Sequence, residues 1–269
     1  KCSYITDTNK SYMNLGYACI NTGLSASRIM TNRTMRRKTF DARGIDYVSE
    51  LALANVKDLK TIVQWNNEMG IKLFRLSSQI FPWSDEYNVE DLKDYEEISS
   101  LMLEIGRIAT DAGQRLTMHP GPYNCLASPT QKVVDKTIRE LNSHSKQFNM
   151  FGFKPSNYNK INIHVGGAYG DRKSTLARFC DNFHLLNEDT KKRLVIENDD
   201  SPNEYSVKDL FDGIYQVIGI PITFDYFHHK FNTGGLTEEE ALKMASITWP
   251  EGVTQCCHYS ESRRKEKLD

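Results

Sequence analysis

The chain has 269 residues, 39% of them hydrophobic, and a formal charge of -1. That length can bury one large core and suits a single α/β domain over residues 1–269, while no stretch nears the roughly 20 consecutive apolar residues of a membrane span and the start lacks the apolar heart of a signal peptide. Near-neutral charge argues against a general nucleic-acid coat, because non-specific DNA affinity comes mainly from phosphate neutralisation by Lys and Arg.

In chain order, a first strand is predicted at Asn14 to Cys19. Arg28, Arg33, Arg36, Arg37, Lys38 and Arg43 then face a single acid, Asp41, and the C-terminus repeats the bias with Arg263, Arg264, Lys265 and Lys267. Such runs either grip a polyanion or form solvated surface. From Ile45, apolar residues recur at three- and four-residue spacing through Val48, Val56, Leu59, Ile62, Val63 and Met69, predicting a helix closed by Gly70. Further strands are predicted at Lys72 to Leu76, Arg115 to Met118, Lys160 to Val165, Arg193 to Ile196, Ile222 to Asp225 and Val253 to Tyr259. Helices at 93–112, 129–148, 174–187, 206–218 and 237–248 alternate with them, the second starting behind Ser128 as N-cap with Pro129 in its first position.

Alternating strands and helices predict repeated βα units and a (β/α) barrel of the TIM type. The count is seven strands where closure needs eight. Either one strand escapes this reading, or the chain ends after its seventh strand. Six cysteines without CxxC spacing, in a chain too large to need disulfide staples, point to a reducing, intracellular setting. A monomer is expected.

The chemistry lies in a positional pattern. His119 follows the third strand, His164 ends the fourth, Glu197 ends the fifth, Asp225 ends the sixth and His258 lies in the seventh. In barrels of this kind the C-terminal strand ends form the active site, so these five should converge as metal ligands. Imidazoles with carboxylates suit zinc, manganese or iron better than the oxygen-only preference of magnesium or calcium. His228, three residues after Asp225, is a further candidate ligand, and His229 a supporting group. Strand alternation would place Cys256 on the face of His258, either as thiolate ligand or as inert buried thiol. His144 and His184 fall in helical segments and read as surface or packing residues.

At these residues the chain resembles the UV damage endonucleases, barrel nucleases related in architecture to endonuclease IV. The resemblance runs through Leu15-Gly16-Tyr17-Ala18-Cys19-Ile20-Asn21, Phe74-Arg75-Leu76-Ser77-Ser78, His119-Pro120-Gly121-Pro122-Tyr123, His164-Val165-Gly166-Gly167-Ala168-Tyr169-Gly170, Glu197-Asn198-Asp199-Asp200, Asp225-Tyr226-Phe227-His228-His229 and His258-Tyr259-Ser260. It implies incision of duplex DNA immediately 5′ of pyrimidine dimers, with two or three divalent ions, manganese foremost and zinc or magnesium as alternatives. It also implies that Tyr17 and Asn21 lie near the damaged strand and that Tyr123 wedges into the duplex, leaving Arg36 and Arg37 of the basic loop to hold phosphate. The chain departs from the family pattern at Pro122, where a Gln is usual, and at Cys256, where a Lys is common. A His ligand usual after the second strand is replaced by Asp85 or Glu86, and a carboxylate on an eighth strand has no counterpart, so the resemblance implies a chain truncated relative to the natural protein.

The expected reaction is metal-assisted phosphodiester hydrolysis with Glu197 bridging two ions, His119 and His164 to one side, Asp225 and His258 to the other, and His228 serving a third. A metal-dependent sugar isomerase or epimerase is the alternative of the same architecture. A catalytically dead DNA-binding module is a third reading.

Overall fold

The computed structural model describes residues 13–261. Six short strands pair in parallel in sequence order: β1 (Gly16–Ala18), β2 (Leu73–Leu76), β3 (Arg115–Met118), β4 (Ile161–Ile163), β5 (Leu194–Glu197) and β6 (Ile222–Thr223). Register aligns Tyr17, Phe74 and Leu116 across β1 to β3, and Ile163 with Ile196 across β4 and β5. From β3 to β6 every strand residue is buried, as expected where helices cover one face and side chains fill the other. This is the half-barrel of an α/β fold, with the predicted strands one to six in place.

The helices are α1 (Thr22–Ser25), α2 (Arg37–Glu68), α3 (Tyr95–Asp111), α4 (Gln131–Met150), α5 (Arg172–Phe183) and α6 (Glu188–Arg193). They continue with α7 (Val207–Leu210), α8 (Gln216–Ile218), α9 (Tyr226–Phe231) and α10 (Glu238–Ser246), a π turn at Phe211–Tyr215 joining α7 to α8. The predicted start at Ile45 corresponds to a kink: Gly44 has φ 63°, which breaks α2 into a basic first turn and a long amphipathic segment whose Val48, Ala52, Val56, Leu59 and Val63 are buried. Ser128 does not cap α4. Its hydroxyl accepts from the Thr130 N–H, and the helix starts two residues later than predicted, behind Thr130.

Residues 253–259 do not form the seventh strand. Within the described residues this segment meets the sheet through one bridge, Asp225 with His258, fastened by His258 N–H to the Phe224 carbonyl and Tyr226 N–H to the His258 carbonyl. The Thr254 carbonyl is taken by the guanidinium of Arg115 instead of by a neighbouring strand. Cys256 is buried against Val195 and Trp249 and belongs to neither candidate metal group, which is the inert-thiol alternative of the two. The five described cysteines are free thiols.

The basic segment is less open than its charge suggests. Arg33 pairs with Asp58 at 2.7 Å, Arg37 with Asp41 at 2.8 Å and Glu86 at 2.7 Å, and Arg43 with Glu50 at 3.6 Å. The basic residues from 263 onward lie outside the described residues. No described helix is long and apolar enough to cross a membrane.

Candidate metal centre

Strand alternation puts Arg115, Thr117 and His119 on one face of β3 and its continuation, Lys160, Asn162 and His164 on one face of β4, and Val195 with Glu197 on β5. The upper members of these columns meet. His119, Glu197 and His258 offer ligand atoms within 4.8 Å of one another, and so do His164, Glu197 and His228. Glu197 belongs to both groups. His119 and His164 stand on the same oxygen of Glu197, the side on which the sequence expectation set them together, while His228, expected to serve a separate ion, shares a group with His164 and Glu197.

Glu197 is buried with its two oxygens turned to different rings. Oε2 lies 3.2 Å from Nε2 of His119 and 3.8 Å from Nε2 of His164, while Oε1 lies 2.9 Å from Nδ1 of His258 and 3.7 Å from Nδ1 of His228. Three rings are oriented from behind. Nδ1 of His119 is 3.0 Å from the Pro120 carbonyl, Nδ1 of His228 is 2.8 Å from the Asn198 carbonyl, and Nδ1 of His164 is 2.6 Å from Asp199 Oδ1. A carbonyl only accepts, so His119 and His228 carry their proton on Nδ1 and keep Nε2 free as a donor of electrons. Such supports orient imidazoles toward a metal. His258 is the exception, presenting Nδ1 to Glu197.

Asp225 sits beside this cluster. Its Oδ1 caps α9 by accepting from the N–H groups of Phe227 and His228, and Oδ2 is 4.0 Å from Nε2 of His228. Burial, with Glu197 nearby, raises its pKa. For Glu197 burial also opposes ionisation, yet His258, His119 and His164 together hold its pKa well below the usual carboxylate value. Burial disfavours the charged form of His164, but Asp199 and Glu197 outweigh it and raise the pKa to about 9. His258 is pushed down to about 4 by burial and by Lys160, against the pull of Glu197.

Four imidazoles around one shared carboxylate make a donor set suited to first-row divalent ions, and the supports behind the rings fit that role. His229 joins neither group; it is buried against the Phe224 ring at 5.4 Å. Asp85 and Glu86 are also outside the cluster. Glu86 pairs with Arg37, and Asp85 lies toward Lys136 at 4.0 Å. His144 is buried in α4 and His184 is exposed at the end of α5, as packing and surface residues.

A hollow of about 150 Å³ opens beside the cluster, lined by His119, Pro122, His164, Asp199 and Glu204 among others. Next to Pro122, Tyr123 is 89% exposed. A larger hollow of about 690 Å³ lies between the 81–91 segment and α4 and contains none of the cluster residues. Tyr17 and Asn21 bond to each other, Asn21 Nδ2 donating to the Tyr17 hydroxyl at 2.9 Å, while that hydroxyl donates to Asn66 at 2.7 Å and Asn21 caps α1.

Over residues 13–268 the sequence matches the family described as UV-endonuclease UvdE. The chain belongs to this family. It is 38% identical over 263 residues to the UV-damage endonuclease of Schizosaccharomyces pombe, covering 92% of this chain and 42% of that protein. The UV DNA damage endonuclease of Clostridium perfringens is 31% identical over 252 residues, covering 93% of this chain and 58% of that one. The chain thus spans about half the length of these UvdE relatives. Among solved structures, SacUVDE superposes with a TM-score of 0.85 at 31% identity, over 96% of this chain and 83% of that one. A D-psicose 3-epimerase from Clostridium cellulolyticum H10 superposes at 0.53 with 14% identity, over 75% and 67% of the two chains, a likeness of fold alone.

The residues that sequence reasoning missed are Asp199, read only as part of a turn, and Lys160 and Asn162, read only as strand. Their signal was available: a strand buried on both faces that carries Lys160, Asn162 and His164 at every second position has a polar column inside the barrel.

Proposed function

We propose that this chain is a DNA repair endonuclease that incises the backbone 5′ of UV photolesions, using two or three divalent ions held by His119, His164, Glu197, Asp225, His228 and His258. The observation that supports it best is the single carboxylate of Glu197 shared by two imidazole pairs, the arrangement expected of a ligand between two ions. When bound, divalent ions would supply the Lewis acidity that activates water and steadies charge on the leaving oxygen. Manganese is the first candidate ion, with zinc or magnesium as alternatives.

The protein side chains prepare the site. Pro120, Asn198 and Asp199 fix three rings, and Asp225 orders the first turn of α9 so that His228 is presented inward. No nucleophilic side chain is required. Tyr123 stands exposed beside the hollow, where an aromatic ring can replace a base in a disrupted stack, and a kinked lesion costs less to open than intact duplex. On this reading Tyr17 and Asn21 would lie near the damaged strand, and Arg36 and Arg37 would hold phosphate. Membership of the UvdE family supports this reading over a sugar epimerase.

The test is nicking of UV-irradiated plasmid with wild type and Glu197→Gln, each stripped of metal and replenished. Wild type should nick irradiated plasmid only with metal, and the variant should keep its fold and lose nicking. A folded Glu197→Gln protein that nicks normally would remove the bridging role.

A further inference from the structure

Beneath the shared carboxylate the barrel interior encloses a lysine. Lys160, just ahead of β4, has 1% of its surface exposed. Its Nζ lies 3.0 Å from Asn162 Oδ1, 2.9 Å from Thr223 Oγ1 and 3.4 Å from His258 Nε2. Asn162, wholly buried, donates from Nδ2 to Glu197 Oε2. His258 reaches the other oxygen, its Nδ1 being 2.9 Å from Oε1. Lys160, Asn162, Glu197 and His258 therefore form a closed ring of polar contacts whose two branches start at one nitrogen and end on the two oxygens of one carboxylate.

The direction of each contact follows from chemistry. A lysine head has no acceptor role when charged and seeks oxygen, so it draws Asn162 Oδ1 toward itself and turns the amide nitrogen to Glu197. The other three imidazoles of the cluster are braced by a carbonyl or carboxylate behind Nδ1. His258 is reversed, and what lies behind its outer nitrogen is Lys160. Burying an amine head is costly unless its polar partners are met, and here they are members of the site or touch it.

We propose that Lys160 is a positioning residue of the metal centre: it sets the orientation of the Asn162 amide and braces the His258 ring, and so holds Glu197 with each oxygen facing a different pair of imidazoles. The proposal rests on the metal-centre reading above, and Lys160 itself contacts neither DNA nor the reacting atoms.

Lys160→Met keeps the stem and removes the nitrogen, and Asn162→Leu removes the amide at similar volume. Metal-free protein would first be melted to establish folding, then titrated with Mn²⁺ by calorimetry and by the electron paramagnetic resonance signal of the free ion. Each folded variant should bind Mn²⁺ at least about 10-fold more weakly, as removing the support behind a ligand does. The double variant should add little to either single one, because both break the same ring. On irradiated DNA at saturating Mn²⁺, kcat should fall while KM for DNA stays. Wild-type or tighter Mn²⁺ affinity in either folded variant, beside a wild type that binds normally, overturns the role of Lys160 and leaves the metal centre standing. A wild type that binds no divalent ion overturns the metal centre and the proposal with it.

Discussion

Asp199 Oδ1 lies 2.6 Å from Nδ1 of His164, behind the ring whose other nitrogen faces Glu197. This contact crosses from the turn after β5 to the end of β4, so it ties two strand ends as well as orienting one ligand. Asp199→Ala should lower divalent-ion affinity by about 10- to 100-fold, the usual effect of removing a partner behind a ligating imidazole. Mn²⁺ titration of the metal-free protein checks it. The His164 pKa, followed by NMR, should also move down from about 9. An unchanged affinity would make Asp199 a packing residue.

Metal-free protein should be most stable near the ordinary histidine pKa and lose stability on both sides of it. The His164 pKa is raised to about 9, so its contribution is full below the unfolded value of about 6.5 and is lost as pH climbs through 9. The His258 pKa is lowered to about 4, so its contribution is present above about 6.5 and is lost as pH falls toward 4. Thermal melts in chelator across this range, with His164→Gln flattening the alkaline limb and His258→Gln the acid limb, provide the measurement. Identical pH profiles for both variants and wild type would contradict it.

Tyr123→Ala should reduce the preference for irradiated over intact duplex more than it slows cutting of a site already unpaired. Base-to-aromatic stacking is worth about 1 to 3 kcal/mol, which corresponds to roughly 5- to 150-fold in the affinity ratio. Competition binding with the two duplexes measures it. If the ratio is unchanged, Tyr123 is ordinary exposed surface.

Arg36 and Arg37 should behave unequally on DNA, although both belong to the same basic run. Arg37 already holds Asp41 and Glu86, whereas no hydrogen bond or ion pair involves the Arg36 side chain among the described residues. Removing one cation that neutralises a phosphate flattens the slope of log affinity against log salt by about 0.9 on duplex. Arg36→Ala should approach that change and Arg37→Ala should fall well short of it, for damaged and undamaged DNA alike. Equal slopes for wild type and Arg36→Ala would place the residue outside the DNA interface.

His119, His164 and Glu197 were legible because each stands at the C-terminal end of a strand-length segment between stretches of helical period, a pattern local to the sequence. The place of His228 was not legible. It joins His164 and Glu197 from the first turn of α9, a meeting that only barrel geometry sets. The segment at 253–259 read as a strand from its alternation, but alternation does not reveal that the guanidinium of Arg115, far away in the sequence, takes the Thr254 carbonyl. The charge run misled for a similar reason: Asp58, Glu86 and Glu50 lie outside the run and pair with it after folding. Lys160 looked like an ordinary strand start because its partners Thr223 and His258 lie far later in the chain.

His258 is delivered by a stretch of chain that touches the sheet at one bridge, while Glu197 and its neighbours sit in fully buried strands. Segments with few backbone hydrogen bonds open locally at lower free energy than the core they cover. The two halves of the cluster therefore differ in lifetime as well as in ligands: the His119 and His258 half can come apart by fraying of residues 254–258 while the strands stay paired. Ion escape from that half would follow the opening rate of the fray, and the amides of 254–257 would exchange with solvent ahead of those in β3 to β5.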